Sequence, residues 1–211
     1  VLTTHGQCSS KVNMTLLRCN ETVHASLGIE SLELSLADCT LSNPAYDFAG
    51  TFIYPVNIEP NKFKLAVESA LAIYPIFAAR FRPDDFTMHM SNEGIYFETK
   101  STKGVADEDA SEDRINGLYD KTLKERHEEF KANCSLRLTN FSSKAFLSFN
   151  MRHVCGDGDS FFSFMHTISE AYEGKPLSRR PPRLSRLPNG GWPKMDHEPL
   201  IEDLHTKGRF E

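Results

Sequence analysis

The residues best placed to do chemistry lie in the run Asn150-Met151-Arg152-His153-Val154-Cys155-Gly156-Asp157-Gly158-Asp159-Ser160, where an alternating apolar stretch reaches a histidine and breaks into a Gly/Asp turn. An imidazole, with a reference pKa of about 6.5, can take a proton near neutrality as an alcohol or amine attacks a thioester or ester carbonyl. The pattern therefore offers His153 as a general base, a role that acyl transfer would need. Asp157 stands four residues on, across a turn that contains Gly156. Its carboxylate can face the imidazole, or it can point away and hold the turn by pairing with an arginine. Gly158 removes a side chain where a large ligand could approach the backbone.

Competing chemistries have less support. Cys155 beside His153 invites a Cys/His nucleophile reading, but there is no third orienting group and no cysteine at a helix N-terminus. Asp157 and Asp159 would need further spaced oxygen ligands to hold calcium. His166 and Met165 read as packing or surface positions of a short amphipathic helix. GxSxG, Walker A and HExxH are all absent, which removes the commonest hydrolase, nucleotide and zinc-protease readings.

Ala145, Leu147, Phe149 and Met151 alternate on one face of a strand that leads into the turn, and Leu136 to Phe141 reads as its hairpin partner across Ser142-Ser143-Lys144. Beyond the turn, Asp159 or Ser160 can cap a helix whose face carries Phe161, Met165, Ile168 and Tyr172, ended by Glu173-Gly174-Lys175-Pro176. Upstream, Val12 to Leu16 suggests an early strand, Leu32 to Asp38 has period two, and Thr51 to Pro55 is a further short strand. Glu59-Pro60 opens a helix with Phe63, Val67, Ala70, Leu71 and Tyr74 on one face, and Pro75 stops it. Phe86 to Met90 and Ile95 to Thr99, joined by Ser91-Asn92-Glu93-Gly94, read as a hairpin. Lys103 to Asp113 is an acidic, solvated connection. Leu118, Thr122, Leu123, Arg126 and Phe130 mark a second helix, with Arg and Lys mainly outside. Arg179 to Pro193 has the composition of a linker.

A chain of 211 residues suffices for one sizeable core, and 39% hydrophobic with 25% charged residues is an ordinary globular composition. A net charge of −5, with no long basic cluster, argues against a nucleic-acid partner. The longest apolar run, Leu71 to Ala79, falls well short of a membrane span of about 20 residues. Five cysteines at irregular spacing signal neither a disulfide framework nor a zinc site, which favours a reducing, cytoplasmic compartment. Secretion is the alternative, because four Asn-X-Ser/Thr sequons occur at Asn13, Asn20, Asn133 and Asn140 and the chain begins with Val.

His153-Val154-Cys155-Gly156-Asp157-Gly158 matches the HxxxDG motif, and its surroundings resemble the BAHD acyltransferases, relatives of chloramphenicol acetyltransferase and the peptide-synthetase condensation domains. Phe63-Lys64-Leu65 through Pro75-Ile76-Phe77-Ala78-Ala79-Arg80-Phe81 is similar to that family's "LkxsLsxxLxxyPxxaGRl" segment, with Ala79 where Gly is usual. Leu136 to Phe141 is similar to its "vqvTxF" strand, and Leu34-Ser35 with Asp38 to its "LSxxD". The resemblance covers residues 30 to 190. It implies a mixed α/β fold, a two-layer sandwich of a β-sheet with helices packed on it, like chloramphenicol acetyltransferase. It also implies transfer of an acyl group from coenzyme A to a small-molecule hydroxyl or amine, with acyl-CoA as co-substrate and no permanently bound cofactor or metal. By the same resemblance His153 is the base, Asp157 a structural strut bonded to an arginine often supplied by a second half, and Gly158 the residue that keeps the channel open.

Condensation domains usually carry a second histidine where Arg152 stands, which argues against that branch. The family's DFGWG motif is absent, so residues 1–176 are expected to be an N-terminal acyltransferase domain and residues 177–211 a crossover toward a C-terminal half, on the same or a separate chain. Self-association could instead close the channel. The alternative reading is a non-catalytic domain of the same fold that binds an acyl ligand or a partner.

Overall fold

The alternating run that ends at Met151 forms strand β8 (Ala145–Met151), every residue of which is buried. The computed structural model describes residues 12–21, 24, 28–35, 38, 40–101 and 121–178. Strand β8 lies in a five-stranded sheet ordered β1 (Val12–Leu17), β6 (Ile95–Ser101), β7 (Cys134–Asn140), β8 and β3 (Phe48–Tyr54). β6 and β7 are parallel and the other neighbours antiparallel, so the sheet is mixed. A parallel pair needs a crossover, which here contains helix α2 (Lys121–Glu129). The expected β7–β8 hairpin is present, with Leu138 opposite Leu147.

Helix α1 (Pro60–Leu71) and helix α3 (Gly158–Glu173) pack on each other and on one face of this sheet. Phe63 stacks on Phe97 with ring centroids 5.6 Å apart, and Phe161 lies 4.4 Å from Phe149. Fully burying side chains of this size stabilises by about 1.5–3 kcal/mol each, so aromatic rings carry much of the core. Pro60 occupies the first turn of α1, and the Glu59 carboxylate accepts the backbone N–H groups of Asn61 and Lys62. The helix stops at Leu71; Tyr74 lies beyond it, yet is buried where Pro75–Ala78 forms a 3-10 turn. On the opposite face, Leu123 of α2 packs with Tyr96 and Ala132. That face also buries an ion pair, Arg137 Nε donating to Glu98 Oε1 at 2.6 Å, with the Tyr96 hydroxyl donating to Glu98 Oε2 at 2.6 Å.

The structure corrects two expectations. Phe86 to Thr99 is not a hairpin: β5 (Thr87–His89) belongs to a separate three-stranded sheet, between β2 (Ser31–Glu33) and β4 (Arg80–Arg82), whereas β6 joins the large sheet. The intervening turn redirects the chain instead of folding it back. Asn92 (φ 51°) exchanges hydrogen bonds with the Cys19 backbone, and Gly94 (φ 95°) passes so close to Leu17 that a Cβ would meet its carbonyl oxygen at 2.5 Å. The second correction concerns Leu32 to Asp38, which pairs as a strand only over Ser31–Glu33. Leu34 leaves the ladder for the core, and Asp38 Oδ2 bonds the Ser35 backbone and hydroxyl, a local turn that competes with extension. Lys103 to Asp113, Leu118 and Arg179 to Pro193 lie outside the described residues.

Candidate active site

Strand β8 ends at Met151, Arg152 stays extended, and His153–Cys155 forms a single 3-10 turn. The turn closes through the Gly156 N–H on the His153 carbonyl at 3.2 Å, and Arg152 is tied back by its own N–H on the Asn133 carbonyl at 2.9 Å. Val154 and Cys155 point into the core, which leaves His153 half-buried at the sheet end. Its ring meets Phe48 edge-on at 5.5 Å, and its buried Nδ1 has no hydrogen-bond partner among the described residues. Phe48 and Phe52 on β3, Phe149 on β8 and Phe161 and Phe162 on α3 form a continuous aromatic wall beside it. Gly50 makes room for that wall, since a Cβ there would come within 2.9 Å of the Phe149 ring.

Asp157, not Asp159 or Ser160, is the N-cap of α3. Its Oδ1 accepts the Ser160 backbone N–H at 2.9 Å and the Ser160 hydroxyl at 2.8 Å. These two hydrogen bonds hold its carboxyl below the usual range. Helix geometry explains the shift of cap: the cap oxygen serves the N–H three residues on, and the Asp157–Ser160 pair has that spacing. A Cβ on Gly158 would meet nothing within 4 Å among the described residues, which leave open space at the helix start. Gly156 is the tight position, where a Cβ would meet Ser160 Cβ at 2.8 Å.

The layer behind the turn was not legible in the sequence. The Asp47 carboxylate accepts the His153 backbone N–H, and Asp47 sits beside His127 and Glu128 of α2. Burial raises the Asp47 carboxyl to about 6. Burial, reinforced by Arg152, holds the His127 imidazole down to about 3. Arg152 donates to the Ala132 carbonyl at 3.2 Å and to Glu128 Oε2 at 3.2 Å, so it braces α2 against the turn. Cys155 is buried, its thiol toward the Asn133 carbonyl at 3.7 Å, and is poorly placed as a nucleophile. His166 lies on the outer side of α3 with Glu170 at 3.1 Å, while Met165 packs inward.

This five-stranded mixed sheet, with helices packed on it and the histidine turn at one end, is a mixed α/β fold of the chloramphenicol acetyltransferase type, as expected. Among solved structures, the chain is similar to vinorine synthase at a TM-score of 0.59 and 12% identity, over 89% of this chain and 50% of that one. It is also similar to a mutant starter condensation domain of the rhizomide synthetase RzmA in complex with C8-CoA, at 0.51 and 14%, over 75% of this chain and 40% of that one. The same domain in a "product-released" conformation scores 0.52 at 13%, over 76% and 40%. The chain thus spans half the length of these neighbours or less. No family model matches the chain, and no curated protein does.

Proposed function

We propose that this chain is the base-bearing half of an acyl-CoA-dependent acyltransferase of the BAHD type. It moves an acyl group from coenzyme A to the hydroxyl or amine of a small molecule. The observation that carries the reading is the His153 imidazole, half-buried against Phe48, whose Nδ1 makes no hydrogen bond among the described residues, with space left open by those residues at Gly158 nearby. The fold shared with vinorine synthase and with a domain that binds C8-CoA is consistent with it.

In this mechanism His153 removes the acceptor proton as its oxygen or nitrogen attacks the thioester carbonyl carbon. The C–S bond then breaks, and the coenzyme A sulfur takes the proton back from the imidazolium. An ester or amide and free coenzyme A result. Asp157 acts on the site through the start of α3, and Arg152, engaged with Glu128 and Ala132, serves structure. Coenzyme A and acceptor would lie between this half and a second one, or a second copy of the chain. A cytoplasmic location accords with the fold's use of two sequons: Asn133 is fully buried, and Asn140 bonds both backbone groups of Ile58. Among the described residues no helix is long and apolar enough to cross a membrane.

Thiol release from acyl-CoA, measured on the chain joined to its C-terminal half, tests the reading. His153→Ala is expected to lower kcat by about 10²–10⁴-fold. Full turnover in that variant would end the proposal.

A further inference from the structure

Three buried polar atoms, two carboxylate oxygens and an imidazole nitrogen, face one another behind the histidine turn. They are Asp47 Oδ2, His127 Nε2 and Glu128 Oε1, all buried and all without a hydrogen-bond partner among the described residues. The atoms offered by these three side chains lie within 4.8 Å of one another, and the imidazole nitrogen is 3.8 Å from Asp47 Oδ2. The His127 side chain is 0% exposed and that of Asp47 4%. Buried carboxylate oxygens beside an imidazole nitrogen, each short of a partner, are unfavourable unless a proton or a cation joins them.

We infer that Asp47, His127 and Glu128 form a binding site for one divalent transition-metal ion, with zinc the best match. A single imidazole with two carboxylates is a ligand set of borderline softness, which suits zinc better than calcium or magnesium with their all-oxygen shells. Zinc bonds to such atoms at about 2.0–2.2 Å, which puts neighbouring ligands of a tetrahedral set about 3.4 Å apart. Small rotations of the carboxylates close the present spacing. His127 Nδ1 lies 2.9 Å from the Ser135 hydroxyl; with Nδ1–H donating there, the ring is fixed and the Nε2 lone pair faces the two carboxylates, as a ligating histidine requires. The neighbouring cations are Arg152, Arg80 and Lys124. Arg152 is engaged by the other oxygen of Glu128 and by Ala132, so it neutralises part of the carboxylate charge without occupying the space between the three atoms.

Because Asp47 also holds the His153 backbone, the ion would tie β3's approach, α2 and the histidine turn together. The role is structural, separate from acyl transfer.

The test uses the whole 211-residue chain, freed of metal with a chelator and titrated with Zn²⁺ against a chromophoric competitor, with metal content and Tm as readouts. One zinc per chain and a raised Tm are expected. Asp47→Asn and Glu128→Gln should each weaken zinc binding at least tenfold, while His166→Ala leaves it unchanged. Glu128 is partly exposed, so Glu128→Gln keeps the test valid even where a change at His127 prevents folding. The Co²⁺ form should lack a thiolate charge-transfer band, which separates this site from Cys134 and Cys155 nearby. Absence of stoichiometric zinc in the unaltered chain, or zinc that survives both substitutions, overturns the inference.

Discussion

Two glycines of the histidine turn, two residues apart, should respond in opposite ways to the same added methyl group. Gly158 has open space around its would-be Cβ and lies at the first position of α3 without a left-handed φ. Alanine there removes backbone freedom from the unfolded chain, so Gly158→Ala should stabilise by about 0.4–1 kcal/mol. For a chain of this size that is about 1–4 °C in Tm. Gly156 differs, because its Cβ would meet Ser160 Cβ at 2.8 Å, an atom anchored to the helix backbone rather than a mobile side-chain end. Overpacking of this kind costs about 1–3 kcal/mol. Gly156→Ala should therefore unfold at a Tm lower by about 2–12 °C and should disturb the Asp157–Ser160 cap.

Activity should invert this order for Gly158. If substrate passes over the open space there, a methyl group costing about 1–3 kcal/mol of approach lowers kcat/KM by about 5- to 150-fold in a protein that is more stable than the parent. Thermal unfolding and thiol release on the same preparations measure both quantities. Unchanged kcat/KM in a stable Gly158→Ala variant would refute a channel at this point. A loss of stability as large as that of Gly156→Ala would refute the steric argument itself.

Asp157→Ala should lose the cap and about 0.5–2 kcal/mol, read by urea denaturation. The carboxyl's folded pKa lies below its unfolded one, so its contribution is fully present above the unfolded value near pH 4 and fades as pH falls through the folded value. Asp157→Asn should keep a cap and flatten that part of the stability profile. Arg137→Met leaves Glu98 buried without its cation and should cost about 3–5 kcal/mol, while the double change with Glu98→Gln should recover part of it; a double-variant loss equal to the sum of the two single losses would show the pair to be uncoupled. Phe161→Ala removes a fully buried ring from the aromatic wall and should cost about 3–5 kcal/mol, with a loss below 1 kcal/mol speaking against its place in the core.

What was legible in the sequence was local. The alternation of Ala145 to Met151 specified β8, and the apolar faces of α1 and α3 followed from helical period. The strand, turn and helix around His153 could be placed from those patterns alone. Sheet membership could not, because Phe86 to Thr99 carries a good hairpin pattern and only long-range contacts of Asn92 and Gly94 with Cys19 and Leu17 decide that its two strands part. The polar layer behind the turn was hidden for a related reason. Asp47 lies 80 residues before His127, and His127 sits among charged neighbours on a helix whose inner face the sequence marks with Leu118, Thr122, Leu123, Arg126 and Phe130, although its side chain is completely enclosed. A period-3.6 reading that weighs only aliphatic and aromatic residues passes over an imidazole turned inward.

The burial of Asn133 sets two processes in competition. Its side-chain nitrogen donates to the Ile76 carbonyl and sits against Met88, so no sugar can be attached once the chain has folded. Were the chain to enter a compartment that attaches glycans to asparagine, modification at Asn133 and completion of this core would exclude each other. Occupancy there would then record how long the chain remained unfolded, whereas Asn13, exposed on edge strand β1, would carry no such information.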